Sequence, residues 1–244
     1  MVAGTSVNDK VTREELSEVA RARSKVYGFL AAVYLHTPTE DFITTIKSGS
    51  IINSLREFMP PEEPSEDFKK AVEALNQFHS ESDQTTSPKL LEKLLIDHTR
   101  LLRGVREEYS PPPPYGSVYL EKMLSGLTTR QVADAYRKAG LTLSKDAAES
   151  PDYIGVELDF MRALCEDESK EWAKDDGLAT ERLRTEISFL HDHIQKWIPQ
   201  FCDNMVAWSR TSLYQALAYL TKGWIILETG QTEELLKAAE ETLP

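Results

Sequence analysis

Metal or nucleophilic chemistry in this 244-residue chain would have to start from five histidines and two cysteines. A carboxylate-bridged di-iron centre in a helical protein needs Glu-x-x-His pairs projecting inward from two helices. No histidine here has a glutamate three residues before it. His191 and His193 are the close pair, but two residues apart on a helix they point about 200° away from each other and cannot share an ion. Cys165 and Cys202 fall on separate predicted helices without Cys-x-x-Cys spacing, so they read as buried free thiols and not as a disulfide framework or zinc site. Ser117, between Gly116 and Val118, lacks the Gly-x-Ser-x-Gly elbow. No glycine is followed by Lys-Ser or Lys-Thr, as a phosphate loop requires. The expectation is no catalytic residue, no metal and no cofactor: a protein that is not an enzyme.

What stands out instead is the stretch from 104 to 120. Tyr109, Tyr115 and Tyr119 accompany Pro111-Pro112-Pro113-Pro114, a run that cannot form helix interior and favours an extended path. Aromatic and proline side chains on a rigid loop make a low-entropy binding platform. Forty acidic against 28 basic residues give a net charge of −12. That balance repels a polyphosphate backbone and an anionic membrane and suits a cationic peptide. Apolar runs such as Ile225 to Leu227 fall far short of the roughly 20 residues that cross a bilayer. Residues 1–11 carry no apolar segment with a cleavage site, so a cytoplasmic protein is expected.

The elements that must position this loop are helices. Thr12-Arg13-Glu14-Glu15 is a capping box, and behind it Leu16, Val19, Ala20, Val26, Tyr27, Leu30, Ala31 and Tyr34 recur at helical spacing. Short helices are expected after Pro38 and over Ile51 to Met59, with a Pro- and Glu-rich connector from Pro60 to Pro64. Phe68 to Phe78 marks another amphipathic helix. A further one starts at Pro88 and is stopped by Gly104 as a left-handed cap. The proline-rich segment is expected to be loop from 105 to 118. Helix resumes at Thr128, ending at Gly140, and again after Asp152, a good N-cap. The stripe from Leu183 to Ile198 is expected to be cut by Pro199. The stripe from Leu213 to Leu227 should end before Gly230, leaving Thr232 to Leu243 as a short terminal helix. About ten helices and no convincing strand predict an all-α, single-domain bundle, with possible lobes at 1–126 and 127–244.

Four motifs in this order resemble the TorD/DmsD/NarJ family of chaperones that mature molybdenum-cofactor oxidoreductases. His98-Thr99-Arg100-Leu101-Leu102-Arg103-Gly104 is similar to the family's aromatic-x-x-Leu-Phe-x-Gly, with His98 for the aromatic and Leu102 for phenylalanine. Pro113-Pro114-Tyr115-Gly116-Ser117-Val118-Tyr119-Leu120 resembles its Pro-aromatic-x-Ser segment. Glu149-Ser150-Pro151-Asp152-Tyr153, continuing to Glu157, looks like the acidic and proline stretch ahead of Asp-His or Asp-Tyr. Phe189, His193, Trp197, Pro199 and Phe201 follow the spacing of a fourth.

The resemblance implies a partner: the N-terminal twin-arginine leader, or its remnant, of the catalytic subunit of a molybdenum-cofactor oxidoreductase, held until cofactor is inserted. It also implies a monomer or a domain-swapped dimer. A leader offers two guanidiniums and then an apolar stretch, so its reader needs carboxylates beside an aromatic-lined groove. The residues expected to form that site are Leu101, Leu102, Pro114, Tyr115, Gly116, Ser117, Tyr119, Asp152, Tyr153 and Glu157. The alternatives are a small-molecule or nucleotide-binding helical protein, or a structural subunit of a helical assembly.

Overall fold

In a computed structural model the described residues are 11–48, 65–104, 108–142, 149–174 and 177–242. Helix α1 (Arg13–Leu35) begins as its capping box dictates: Glu15 N donates to Thr12 Oγ1 at 3.2 Å, and Thr12 N donates to Glu15 Oε2 at 2.9 Å. Leu16, Ala20, Tyr27, Leu30, Ala31 and Tyr34 are all buried, so the apolar stripe is the core face. Short α2 (Glu40–Lys47) follows; the helix expected over 51–59 and the connector at 60–64 lie outside the described residues. Helix α3 (Glu66–Asp83) is capped by Ser65, and α4 (Ser87–Leu102) runs to Gly104, whose φ of 61° is the left-handed value expected of its terminator.

After the prolines come α5 (Gly116–Glu121), α6 (Leu127–Lys138), α7 (Ile154–Trp172) and α8 (Leu178–Phe189). A π turn (Leu190–Ile194) carries α8 directly into α9 (Gln195–Trp208), and α10 (Ser212–Thr242) completes the described chain. The principal packing pairs are α1 on α7, α3 on α10, α7 on α8 and α9 on α10. One core joins them, with Tyr27 and Tyr34 from α1, Phe68 and Phe78 from α3, Trp197 and Phe201 from α9, and Tyr214 from α10. A smaller cluster of Leu16, Ala20, Trp172, Ala179 and Ala239 closes the other end. The protein is all-α: among the described residues the sole β-type pairing is a bridge between Tyr115 and Tyr153.

Three boundaries differ from expectation. Residues 116–118 are not loop but the first turn of α5, because a carboxylate from elsewhere in the chain caps it. Pro199 does not cut its helix, which continues through it. The amide it lacks would have bonded Gln195, and Gln195 already sits where regular geometry gives way, its own N–H reaching back five residues to Leu190 O. Nor does Gly230 end α10. An exposed glycine in a helix costs about 1 kcal/mol, and burial of Glu228, Thr232 and Ala239 on either side outweighs it.

Candidate functional site

The second and third motifs meet through the backbone. Gly116 N donates to Asp152 O at 2.8 Å and Ile154 N donates to Pro114 O at 3.0 Å, which closes the bridge between Tyr115 and Tyr153. Their rings lie 5.2 Å apart. Asp152 does not cap its own helix, whose N-cap is Tyr153 with no side-chain bond. Its side chain caps α5 instead: Ser117 N donates to Asp152 Oδ2 at 2.9 Å, and Ser150 Oγ donates to Oδ1 at 2.7 Å. A bridge that fixes residue 152 beside residue 116 leaves its carboxylate nearer the orphan amides of the neighbouring helix than those of the one it precedes.

Burial sorts the expected site residues. Leu101, Leu102, Pro114, Gly116, Ser117, Tyr119, Asp152, Tyr153 and Glu157 are buried, and Tyr115 alone of the ten is half-buried. Tyr153 donates its hydroxyl to Tyr34 O at 2.7 Å, tying the bridge to α1. Tyr119 donates to Pro112 O at 3.2 Å and receives from Asn204 Nδ2 at 3.2 Å, tying the proline loop to α9. At Gly116 an added Cβ would stand 3.2 Å from Trp197 Nε1 and 3.4 Å from Glu157 Oε1, so the third and fourth motifs converge on this glycine too. The nine buried residues set the shape of the loop from beneath.

Glu157 is the buried acid of the group. Trp197 Nε1 donates weakly to its Oε2 at 3.4 Å, while Oε1 has no partner. Burial pushes its pKa well above the usual carboxylate range, the Trp197 bond opposes this, and Asp152 adds to it. Because the folded pKa lies above the unfolded one, the folded state holds a proton that the unfolded state releases. The stability tied to this group is therefore complete below the ordinary carboxylate pKa and declines as pH rises toward the folded value. Glu157→Gln should remove that slope. At pH 8 it should be more stable than wild type by about 1–3 kcal/mol, the penalty of an unsatisfied buried group, with the gap shrinking at pH 5. Thermal melts at both pH values check this, and a gap independent of pH would refute it.

What reaches the surface is a triad that the ten-residue expectation omitted in part. Tyr115 donates its hydroxyl to Glu149 Oε2 at 2.8 Å, and Arg103 donates to Glu149 Oε1. Arg103 is well exposed, and Glu149 retains a fraction of its side-chain surface. Burial and the Glu149 carboxylate together hold the Tyr115 phenol above its usual pKa. Here an aromatic face, a carboxylate and a bound guanidinium occur together, which is the chemistry of arginine recognition. Glu149 stands in the motif that singled out Asp152, and only exposure tells the two apart.

A second charged group was not visible in the motifs at all. Buried Arg23 on α1 donates from Nε to Glu228 Oε1 at 3.0 Å, from Nη1 to Glu168 Oε2 at 2.9 Å, and from Nη2 to Glu186 Oε2 at 2.6 Å. Trp172 Nε1 donates to Glu168 Oε1 at 2.8 Å. Burial raises the pKa values of Glu168 and Glu186, with the Arg23 charge opposing. Ligand-type atoms of Cys165, Glu168 and Glu186 lie within 4.8 Å of one another. The guanidinium already sits on both carboxylates, and burial pushes the Cys165 thiol up, away from the thiolate a metal would need. Elemental analysis of purified protein should therefore find no stoichiometric zinc or iron; one ion per chain would overturn this reading. The signal for the cluster was present as opposite charges at core positions of four apolar stripes.

Comparison with known proteins adds an independent finding. The family model described as the nitrate reductase delta subunit matches residues 62–203. The Vibrio cholerae serotype O1 (El Tor Inaba N16961) protein named chaperone protein TorD is 22% identical over 225 residues, covering 92% of this chain and 98% of that one. A TorD chaperone from Photobacterium profundum is 25% identical over 213 residues, covering 85% and 93%. Among solved structures, a chain described as a candidate redox enzyme maturation protein from Archaeoglobus fulgidus superposes with a TM-score of 0.42 at 19% identity, covering 89% of this chain and 97% of that one. No helix of the described residues is long and apolar enough to cross a membrane.

Proposed function

The chain belongs to the nitrate reductase delta subunit family, and on that premise we propose a redox enzyme maturation chaperone that holds the N-terminal leader, or its remnant, of a molybdenum-cofactor oxidoreductase subunit until cofactor is in place. The observation that carries the leader-binding part is the triad of Tyr115, Glu149 and Arg103. The Glu149 carboxylate, held against Tyr115 at the end of the proline run, already accepts a guanidinium beside an aromatic ring. Arg103 occupies the place that a leader arginine would take, and exchange of one guanidinium for another conserves the charge-assisted bonds at Glu149. The buried residues of the motifs, Asp152 and Tyr153 foremost, hold that face in shape.

Calorimetric titration with a peptide containing paired arginines followed by an apolar stretch tests this. Tyr115→Ala and Glu149→Gln should each weaken binding about tenfold, roughly 1.4 kcal/mol. Arg103→Gln should tighten it by removing the internal competitor. Raised salt and arginine-to-lysine replacement in the peptide should both weaken it, since lysine lacks the planar fork. Asp152→Asn keeps an oxygen for the α5 cap and should bind like wild type. Normal binding by the Tyr115 and Glu149 variants, with unchanged melts, would remove the leader from this face.

A further inference from the structure

Helices α6 and α8 and the π turn line an open cleft of about 560 Å³. Bound small organic ligands occupy clefts of roughly 300–1,000 Å³. Its floor is aromatic. Phe160 and Phe189 meet edge to face with centroids 4.6 Å apart, and the His193 ring lies over Phe189 at 4.8 Å. His193 stands in the π turn, a local widening that recurs at functional sites. Neither imidazole nitrogen bonds another described residue, and the ring is only half-buried.

The rim charges are not equivalent. The carboxylates are each already engaged along their own helices: Asp134 by Arg137, Glu181 by Arg184, and Asp192 by Ser188 and Lys196. Arg184 is held a second time by Glu240. Exposed Lys138 lines the same cleft and has no carboxylate partner among the described residues. Because Arg184 serves two acids, the rim and its partners balance in charge, and Lys138 is the one lining cation without a carboxylate partner among the described residues. The net charge of −12 opposes an anion at long range, but screening over about 8 Å at physiological salt leaves the nearest charge dominant.

We propose that this cleft binds a small planar organic anion, its ring laid against the half-buried His193, which Phe189 backs from beneath, and its acid group on Lys138. Burial lowers the His193 pKa, so the ring is neutral at pH 7 and offers one donor and one acceptor to substituents of that ring. The site uses none of the residues of the Tyr115 and Glu149 face.

The probe is 8-anilino-1-naphthalenesulfonate, a planar aromatic sulfonate whose fluorescence rises on binding, titrated into the full chain beside its uncharged analogue N-phenyl-1-naphthylamine. Saturable one-to-one binding of the sulfonate is expected. Lys138→Glu should weaken it at least tenfold while barely changing the uncharged analogue. Ser188→Trp, at an exposed lining position, should fill the cleft and weaken both. Tyr115→Ala and Glu149→Gln should change neither, so failure of the leader-binding reading would leave this result intact. The proposal is overturned if the sulfonate does not bind, if Lys138→Glu and Ser188→Trp bind it like wild type, or if an arginine-containing leader peptide displaces it one for one.

Discussion

Arg23→Met should lower the unfolding free energy by about 3–5 kcal/mol, the range measured when one partner of a buried ion pair is removed. The guanidinium is the cation shared by Glu168, Glu186 and Glu228, and all four side chains are at most 5% exposed. Without it, three buried carboxylates face one another and must either repel or take up protons. Arg23→Lys keeps the charge but cannot serve three acceptors in one plane, so it should fall between wild type and the methionine variant. Adding Glu168→Gln, Glu186→Gln and Glu228→Gln to Arg23→Met should recover most of the loss, because the penalty comes from stranded charge and not from lost volume. Urea denaturation measures all of these. A loss under about 1 kcal/mol for Arg23→Met would mean that water enters and the cluster is not a dry ion network.

Asp97→Ala should cost a similar amount, about 3–5 kcal/mol, by freeing the start of α10. Asp97 Oδ2 accepts from Arg210 N at 2.9 Å, Thr211 N at 3.0 Å and Thr211 Oγ1 at 2.9 Å, and Oδ1 accepts from Arg100 Nη2 at 2.8 Å. One carboxylate thus satisfies the turn entering α10 and neutralises a largely buried arginine on its own helix. Asp97→Asn preserves the shape but removes the charge, and hydrogen bonds to charged groups contribute about 1.5–3 kcal/mol each, so it should lie between the two. Amide exchange at Arg210 and Thr211 gives the local readout. If those amides stay protected in the alanine variant, water or another acceptor replaces Asp97 and the assignment fails.

The helical architecture was legible because the signals were local. Thr12 and Glu15 close their capping box, and Gly104 and Gly140 take up positive φ where helices were expected to stop. Pro199 and Gly230 misled because local rules assign each a penalty of a few kcal/mol at most, while packing along a long helix supplies more. Asp152 misled for a different reason: its cap bond is made to a helix 35 residues earlier, and sequence spacing carries no information about that. Within the candidate site, residues 113–120 and 149–157, which the motifs singled out separately, meet through the backbone bridge between Tyr115 and Tyr153. They did not separate Asp152, fully buried, from Glu149, which keeps surface. That distinction depends on which neighbours cover each carboxylate. The Arg23 cluster shows the same limit, since its four charges lie on four helices and become a unit only when the helices pack.

The separation within that cluster bears on how the chain comes to be folded on the ribosome. Arg23 is 145 residues ahead of Glu168 and 205 ahead of Glu228. At about 5–20 residues per second, α1 emerges roughly 10–40 s before its last acid exists. Until α7 and α8 follow, its inward face, with Tyr27, Leu30 and Tyr34, has neither its main docking surface nor an acid for the guanidinium, and the third acid comes only with α10. Helix α1 therefore waits on α7, its principal partner, and nascent chains stalled before Glu168 should expose it to protease while chains carried past Glu228 protect it.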